Sequence, residues 1–292
     1  MKVLSVDGRV CVDCGDGPVD VATASNGRFG SDPQAVYERW SEFRGWAEEL
    51  DPIWAEQLDP TAARLRSGAA LGSPVPRPRQ VLAVGFNYVD HSAELDAEPP
   101  EKPLVFPKLS SCVGGPADVV ELPGEHIDWE VELVAVIGRH ARNVAADAGW
   151  RYVAGVTVGQ DLTDRAAQFD GPTPQFSLSK SRPGFGLIGP WLTTVDELDD
   201  PDDLAISCLL NGEVVQQART SSLVFGVGEL VARISAQVPL LPGDLIFTGT
   251  PGGVGYGRTP PRYLTEDDVL VSRIEGVGEL TTRFERPMGG HV

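Results

Sequence analysis

The sequence predicts an α+β, β-rich fold in two parts: a small N-terminal domain with its linker over residues 1–75, and a larger domain over 76–292. Three observations lead there. Beyond residue 80 strand-like apolar runs predominate. They do not alternate regularly with helical segments, which argues against a doubly wound parallel sheet. Between the two parts, residues 71–78 hold Gly72, Pro74, Pro76 and Pro78, the composition of a linker. A chain of 292 residues buries enough surface that neither disulfides nor metals are needed merely to hold it folded.

The elements follow in order. Short apolar runs at 10–12 and 19–21 flank Gly15 to Pro18, a turn composition that predicts a hairpin. Ser31 and Asp32 offer N-cap oxygens ahead of Pro33, so an aromatic-rich helix is expected from there through Glu49, with a second helical piece at 61–66. Strands are expected at 81–84, 129–137, 152–158, 205–210, 213–217 and 269–274. Asn211-Gly212 between two of these runs selects a tight primed hairpin turn. One clear helix is expected at about 228–236, and no internal repeat is visible.

Charge narrows the functional classes. The chain carries 42 acidic against 24 basic residues, a formal net charge of -18, so nucleic acid and anionic membranes are repelled over most of its surface. An anionic small molecule would need local cations. Four scattered cysteines are too few for a disulfide framework, the first ten residues lack the apolar core of a signal peptide, and no apolar run approaches a membrane span. The expectation is a cytoplasmic protein.

The densest chemical signal is DWEVE at 128–132, ahead of the apolar run 133–137. Residues two apart on a strand share a face, so Asp128, Glu130 and Glu132 should project together. Two readings are open: a solvated strand edge, or a cation site. Asp161, at the end of the next apolar run, favours the second, and an all-oxygen set suits Mg²⁺, Mn²⁺ or Ca²⁺ better than zinc. His91 and Glu94 lie one helical turn apart, the spacing of a general base with its orienting carboxylate and equally of an ordinary polar helix start. Lysine occurs only at 2, 102, 108 and 180, so each one inside a motif merits inspection. Lys180 beside a metal would suit a developing oxyanion, and Arg165 with Gln168 would suit a carboxylate; surface roles are the plain alternative for all three.

Other motifs are decoys. Gly184 to Gly189 matches G-x-G-x-x-G but is followed by Pro190-Trp191 instead of a helix start, so no dinucleotide site is expected. Cys11 and Cys14 have no second pair to complete a zinc site. No G-x-S-x-G occurs.

Taken in order, GFNYVDHSAE (85–94), PLVFPK (103–108), DWEVEL (128–133), VGQDLTDRAAQ (158–168), residues 180–190, NGEVVQ (211–216), LPGDLIFTGTPGGVG (241–255) and IEGVGEL (274–280) make the chain resemble the fumarylacetoacetate hydrolase family. The resemblance runs from Gln80 to Phe284. It implies the family's rolled mixed β-sheet in the catalytic domain, a variable N-terminal domain and a homodimer. It also implies that Glu130, Glu132 and Asp161 hold the cation, that His91 and Glu94 act as the acid/base pair with Lys180 beside them, and that Arg165, Gln168, Thr250 and Tyr88 surround the substrate. Phe86, Gln160 and Thr163-Asp164 depart from residues common in the family.

The activity so implied is metal-dependent hydrolysis of a carbon-carbon bond in a 2,4-dioxo acid, an acylpyruvate or a fumarylpyruvate/fumarylacetoacetate-like substrate. Alternatives on the same scaffold are an oxaloacetate-type decarboxylase and an isomerase or hydratase of 2-oxo acids. A ligand-binding protein without activity is the alternative from another class.

Overall fold

The computed structural model describes residues 1–13, 15, 17–50, 70–94 and 98–287. The helical piece expected at 61–66 and the cysteine at 14 lie outside them. Among the described residues the chain forms a mixed eleven-stranded sheet, a five-stranded sheet and a two-stranded ribbon. The path of the large sheet runs Pro18–Asp20, Arg9–Asp13, Lys2–Val6, Gly186–Thr194, Val153–Asp161, Val131–Ile137, Leu245–Phe247, Val81–Gly85 and Leu104–Lys108. Leu71–Gly72 joins beside Lys2–Val6, and Val113–Gly114 beside Gly186–Thr194.

The expected hairpin forms, with Cys11 opposite Asp20. The proposed division at residue 75 therefore crosses one continuous sheet, because Lys2 and Val3 pair with Thr193 and Leu192. The aromatic segment forms two helices, Ala35–Glu38 and Trp40–Glu48, where one was expected from Pro33. Asp32 accepts from the backbone N–H of Gln34 at 3.0 Å, as an N-cap ahead of Pro33 should, and the segment is divided at Arg39, whose backbone (φ -124°, ψ 32°) leaves the helical range.

The centre of the large sheet is buried on both faces, and strand alternation decides which face each residue fills. Leu133, Ala135 and Ile137 join Val156, Val158, Ile206, Leu210 and Leu270 in the core between the large sheet and the five-stranded one. Val134 and Val136 point the other way, into a core with Phe247, Val36, Tyr37, Trp40 and Phe43. Stacked and tilted rings, such as Tyr37 on Trp40 at 5.5 Å, fill that second core. The five-stranded sheet contains the hairpin Ala205–Leu210 and Glu213–Arg219, turned at Asn211 and Gly212, both with positive φ as a primed turn requires. The expected helix is Val227–Ser235, whose buried Val227, Leu230, Val231 and Ile234 lie three and four residues apart.

Two expectations need correction. The strand expected at 129–137 begins at Val131; Asp128 belongs to a separate two-residue strand, Ile127–Asp128, paired with Thr163–Asp164. The Gly/Pro-rich residues 184–190 lead into a central strand, Gly186–Thr194. Pro190 is tolerated there because the pairing slips: Thr193 faces Val156 but Gly189 faces Val158, so the residues between them bulge out of the ladder. No helix of the described residues is long and apolar enough to cross a membrane.

Candidate active site

Glu130 precedes the strand Val131–Ile137 and Glu132 lies within it, and Asp161 closes the neighbouring strand, with its N–H donating to the Glu130 carbonyl at 2.9 Å. That register sets Asp161 directly across from Glu130. Gly159 stands opposite Glu132, and a Cβ there would come within 2.4 Å of Val134. Carboxylate oxygens of Glu130, Glu132 and Asp161 thus gather within 4.8 Å of one another, all buried. Like charges facing each other across a ladder destabilise it unless cations intervene.

Asp128, expected on the same face, leaves the cluster because the break at Trp129-Glu130 interrupts the alternation. Its carboxylate accepts from Arg165 Nε at 2.8 Å and from the backbone N–H groups of Gly255 and Tyr256 at 2.7 and 3.0 Å.

Three cations answer the four carboxylates. Arg165, opening the short helix Arg165–Gln168, donates through Nη2 to Glu130 at 2.7 Å and through Nη1 to the Gln168 amide oxygen at 2.9 Å. Lys180, just after the helix Phe176–Ser179, donates to Glu130 at 2.8 Å and Thr163 at 2.6 Å, and its Nζ lies 3.0 Å from Asp161 Oδ2. Lys108, from the outer strand Leu104–Lys108, is wholly buried and donates to Asp161 Oδ1 and to the carbonyls of Lys180 and Phe185. Sequence reasoning gave Lys108 no role; the scarcity of lysine, with this one inside a motif, was its signal.

The electrostatics split the two glutamates. Burial raises the Glu130 carboxyl, but Lys180 and Arg165 outweigh it and hold the group down at about 2. Burial pushes Glu132 well up, and the charges of Asp161 and Glu130 push it further. Its Oε2 accepts one hydrogen bond, from Gly249 N–H at 2.7 Å. Gly249 has φ +104°, and a Cβ there would meet Asn87 at 2.8 Å, so glycine alone brings that donor so close. Asp161 Oδ2 is buried and not aligned for any hydrogen bond. Three hard oxygen donors, one carboxylate in excess of the cations and an orphaned carboxylate oxygen fit a divalent cation held by Glu130, Glu132 and Asp161.

The acid/base candidates lie on the helix Val89–Glu94. His91 is buried, with Nδ1 3.3 Å from Glu94 Oε2, and Phe86 stacks on its ring at 5.9 Å. The Glu94 carboxylate is held in turn by Gly253 N–H, at 3.0 and 3.1 Å to its two oxygens. Thr250 donates to the Val131 carbonyl at 2.9 Å and accepts from Gln216 at 2.8 Å. Of the expected residues, His91, Glu130, Glu132, Asp161, Arg165, Gln168, Lys180 and Thr250 line one cavity of about 200 Å³. Glu94 backs it through His91. Tyr88 does not line it: its hydroxyl is buried without a hydrogen-bond partner, and burial with the charges of Glu132 and Asp90 pushes the phenol far above its usual range. The rest of the wall is aromatic, with Phe86, Phe106, Phe169, Phe176 and Tyr256, none of them singled out from the sequence as wall residues.

The chain is similar to known proteins along most of its length. The fumarylacetoacetate (FAA) hydrolase C-terminal family model matches residues 80–285. Human mitochondrial oxaloacetate tautomerase FAHD2A is 41% identical over 220 residues, which cover 75% of this chain and 70% of that one. A crystal structure from Mycobacterium smegmatis that carries the name HpcE superimposes with a TM-score of 0.92 at 50% identity, over 98% of this chain and 100% of that one. Maleylpyruvate hydrolase from Sphingobium sp. SYK-6, in complex with manganese(II) and pyruvate, gives a TM-score of 0.76 at 27% identity, over 98% and 99% of the two chains.

Proposed function

The chain belongs to the fumarylacetoacetate hydrolase family, and from that premise we propose that it is a divalent-cation-dependent enzyme that moves a proton beside the carbonyl of a small anionic 2-oxo acid, interconverting keto and enol forms. The observation that carries this reading is the His91–Glu94 pair converging with three buried carboxylates on one cavity. Likeness to an oxaloacetate tautomerase supports it.

Glu130, Glu132 and Asp161 would hold a divalent cation, Mg²⁺ or Mn²⁺, which would supply Lewis-acid polarisation of a 2-oxo group. The chain's own groups do the rest. Glu94, anchored by Gly253, holds His91 Nδ1 and leaves Nε2 to take the proton from the substrate's C3 and pass it to the 2-oxo oxygen, the reverse transfer returning the keto form. Lys180 stabilises the negative charge that collects on the carbonyl oxygen as that proton leaves. Arg165 keeps Glu130 ionised and turned inward, and Gln168 offers its amide N–H to the substrate.

A second reading is hydrolysis of a carbon-carbon bond in a 2,4-dioxo acid, supported by the likeness to maleylpyruvate hydrolase. It uses the same residues, with His91 drawing the proton from water for attack on the distal carbonyl. One assay separates these: chelator-stripped protein, with and without Mg²⁺ or Mn²⁺, is followed by ultraviolet decay of pre-formed enols and by product analysis. Metal-dependent enol decay without bond cleavage supports tautomerisation. Release of pyruvate and a carboxylic acid favours hydrolysis, loss of carbon dioxide favours a decarboxylase, and no effect on any 2-oxo acid sinks both readings.

We also propose a homodimer through the outer strand of the large sheet, since Leu104, Val105, Leu109 and Leu178 leave an apolar surface there. Light scattering at micromolar concentration tests it, and a monomer would refute it. A cytoplasmic location is proposed on the ground that Cys112 and Cys208 are buried free thiols.

A further inference from the structure

The cavity has an ionic floor and an aromatic wall, and the floor has little charge left to give. Lys180 donates to Glu130 and Thr163, and its ammonium faces Asp161 Oδ2 at 3.0 Å. Arg165 donates through Nε to Asp128, through Nη2 to Glu130 and through Nη1 to Gln168, and its Nη2 also lies 2.7 Å from Asp128, so its charge is held between two carboxylates. Among the described residues that line the cavity, these two are the only cations. Both cations already face Asp128, Glu130 or Asp161, so a neutral carbonyl can still find a donor there, but a second carboxylate finds no unpaired charge.

Two ring pairs line the rest of the cavity, and the Arg165 guanidinium lies over the Tyr256 ring at 5.6 Å. Phe106 stacks on Phe176 with centroids 5.3 Å apart, and Phe169 on Tyr256 at 5.2 Å. A carboxylate against these rings would lose water and meet only Arg165, already paired with Asp128 and Glu130, whereas an apolar or aromatic group would bury area and stack. We infer that the part of the substrate beyond its 2-oxo acid head is uncharged and apolar, so that this enzyme prefers monoanionic 2-oxo acids with an alkyl or aryl tail over dicarboxylates. The inference deepens the enolisation reading and rests on it.

The test uses the full chain loaded with Mn²⁺ and two kinds of readout. In turnover, the enol of phenylpyruvate should show a kcat/KM about tenfold or more above that of the enol of oxaloacetate. In calorimetric titration, phenylpyruvate should bind more tightly than 2-oxoglutarate, which carries a second carboxylate. Phe169 is 44% exposed at the cavity mouth, so Phe169→Arg can supply the missing cation without disturbing a core. That variant should narrow both ratios about tenfold. A higher kcat/KM for oxaloacetate in the unaltered protein, or ratios that Phe169→Arg does not move, overturns the inference. Absence of all turnover with the binding order intact would instead sink the enolisation reading and keep the pocket assignment; a reversed binding order sinks the pocket assignment alone.

Discussion

Glu132 and Val134 sit two residues apart on one strand and point to the same face of the same sheet, yet they enter opposite kinds of interior. Val134 and Val136 pack against Phe247 and the aromatic helices of residues 35–48, where contact and loss of water suffice. Glu130 and Glu132, at the other end of that face, are as deeply buried among charges, and each carboxylate there depends on particular partners: Arg165, Lys180, Gly249 N–H and, by our reading, a divalent cation. The apolar end is self-sufficient. The charged end is held by the rest of the fold in a state that one removed group would unbalance, and that is the end with a cavity.

The comparison breaks most sharply at the ligands themselves. Glu132→Ala should abolish both Mn²⁺ binding in calorimetry and turnover, while His91→Ala should keep Mn²⁺ binding and lose about 10²–10⁴-fold in kcat. Retained turnover in the first variant would refute the ligand assignment. Next, Lys108→Met removes the buried ammonium behind Asp161 and should weaken Mn²⁺ about 10–100-fold; an unchanged titration would reduce Lys108 to a packing role.

Acidity sharpens the contrast further. Because burial, then Asp161 and Glu130, raise the Glu132 carboxyl, a proton competes with a divalent cation for the metal-free site more strongly than it would at an ordinary carboxylate. Affinity for Mn²⁺ should therefore climb with pH, by up to about tenfold per unit while one proton is released, and titrations in buffers of different ionisation enthalpy count that proton. The same raised value makes the metal-free fold lose stability as pH rises above the ordinary carboxylate range, since the folded state then binds more protons than the unfolded one.

At the apolar end, Phe43→Ala should cost about 3–5 kcal/mol in denaturant unfolding yet leave Mn²⁺ affinity unchanged. A matching fall in metal affinity would mean that the two ends are coupled. The smallest effect belongs to the surface: Arg44→Ala, which removes exposed pairs with Glu48 and Asp196, should shift stability by less than about 1 kcal/mol.

Part of this contrast was legible in the sequence. Alternation alone puts Glu130 and Glu132 on one face, and the helical spacing of His91 and Glu94 brings them together, because both relations are local properties of backbone geometry. The same reasoning failed at Asp128, where two residues of non-strand backbone turn its carboxylate toward Arg165 and the backbone of Gly255 and Tyr256. It also left residues 184–190 out of every expected strand, since nothing local announces that a bulge will carry Pro190 through a central one.

By itself, then, the sequence determined the β-rich class, the pairs of side chains that share a strand or helix face, and an acidic surface that must bind an anion through placed cations. The tertiary structure decided which distant segments close on those pairs: Asp161 across from Glu130 through sheet register, Lys108 from the outer strand behind it, Gly249 under Glu132, and five aromatic rings over the cavity. Side-chain direction is a property of a few neighbouring dihedral angles. Pairing register and the closing of long loops are settled by the burial of the whole chain at once, and the charges that must be neutralised in that interior find their partners only when it has formed.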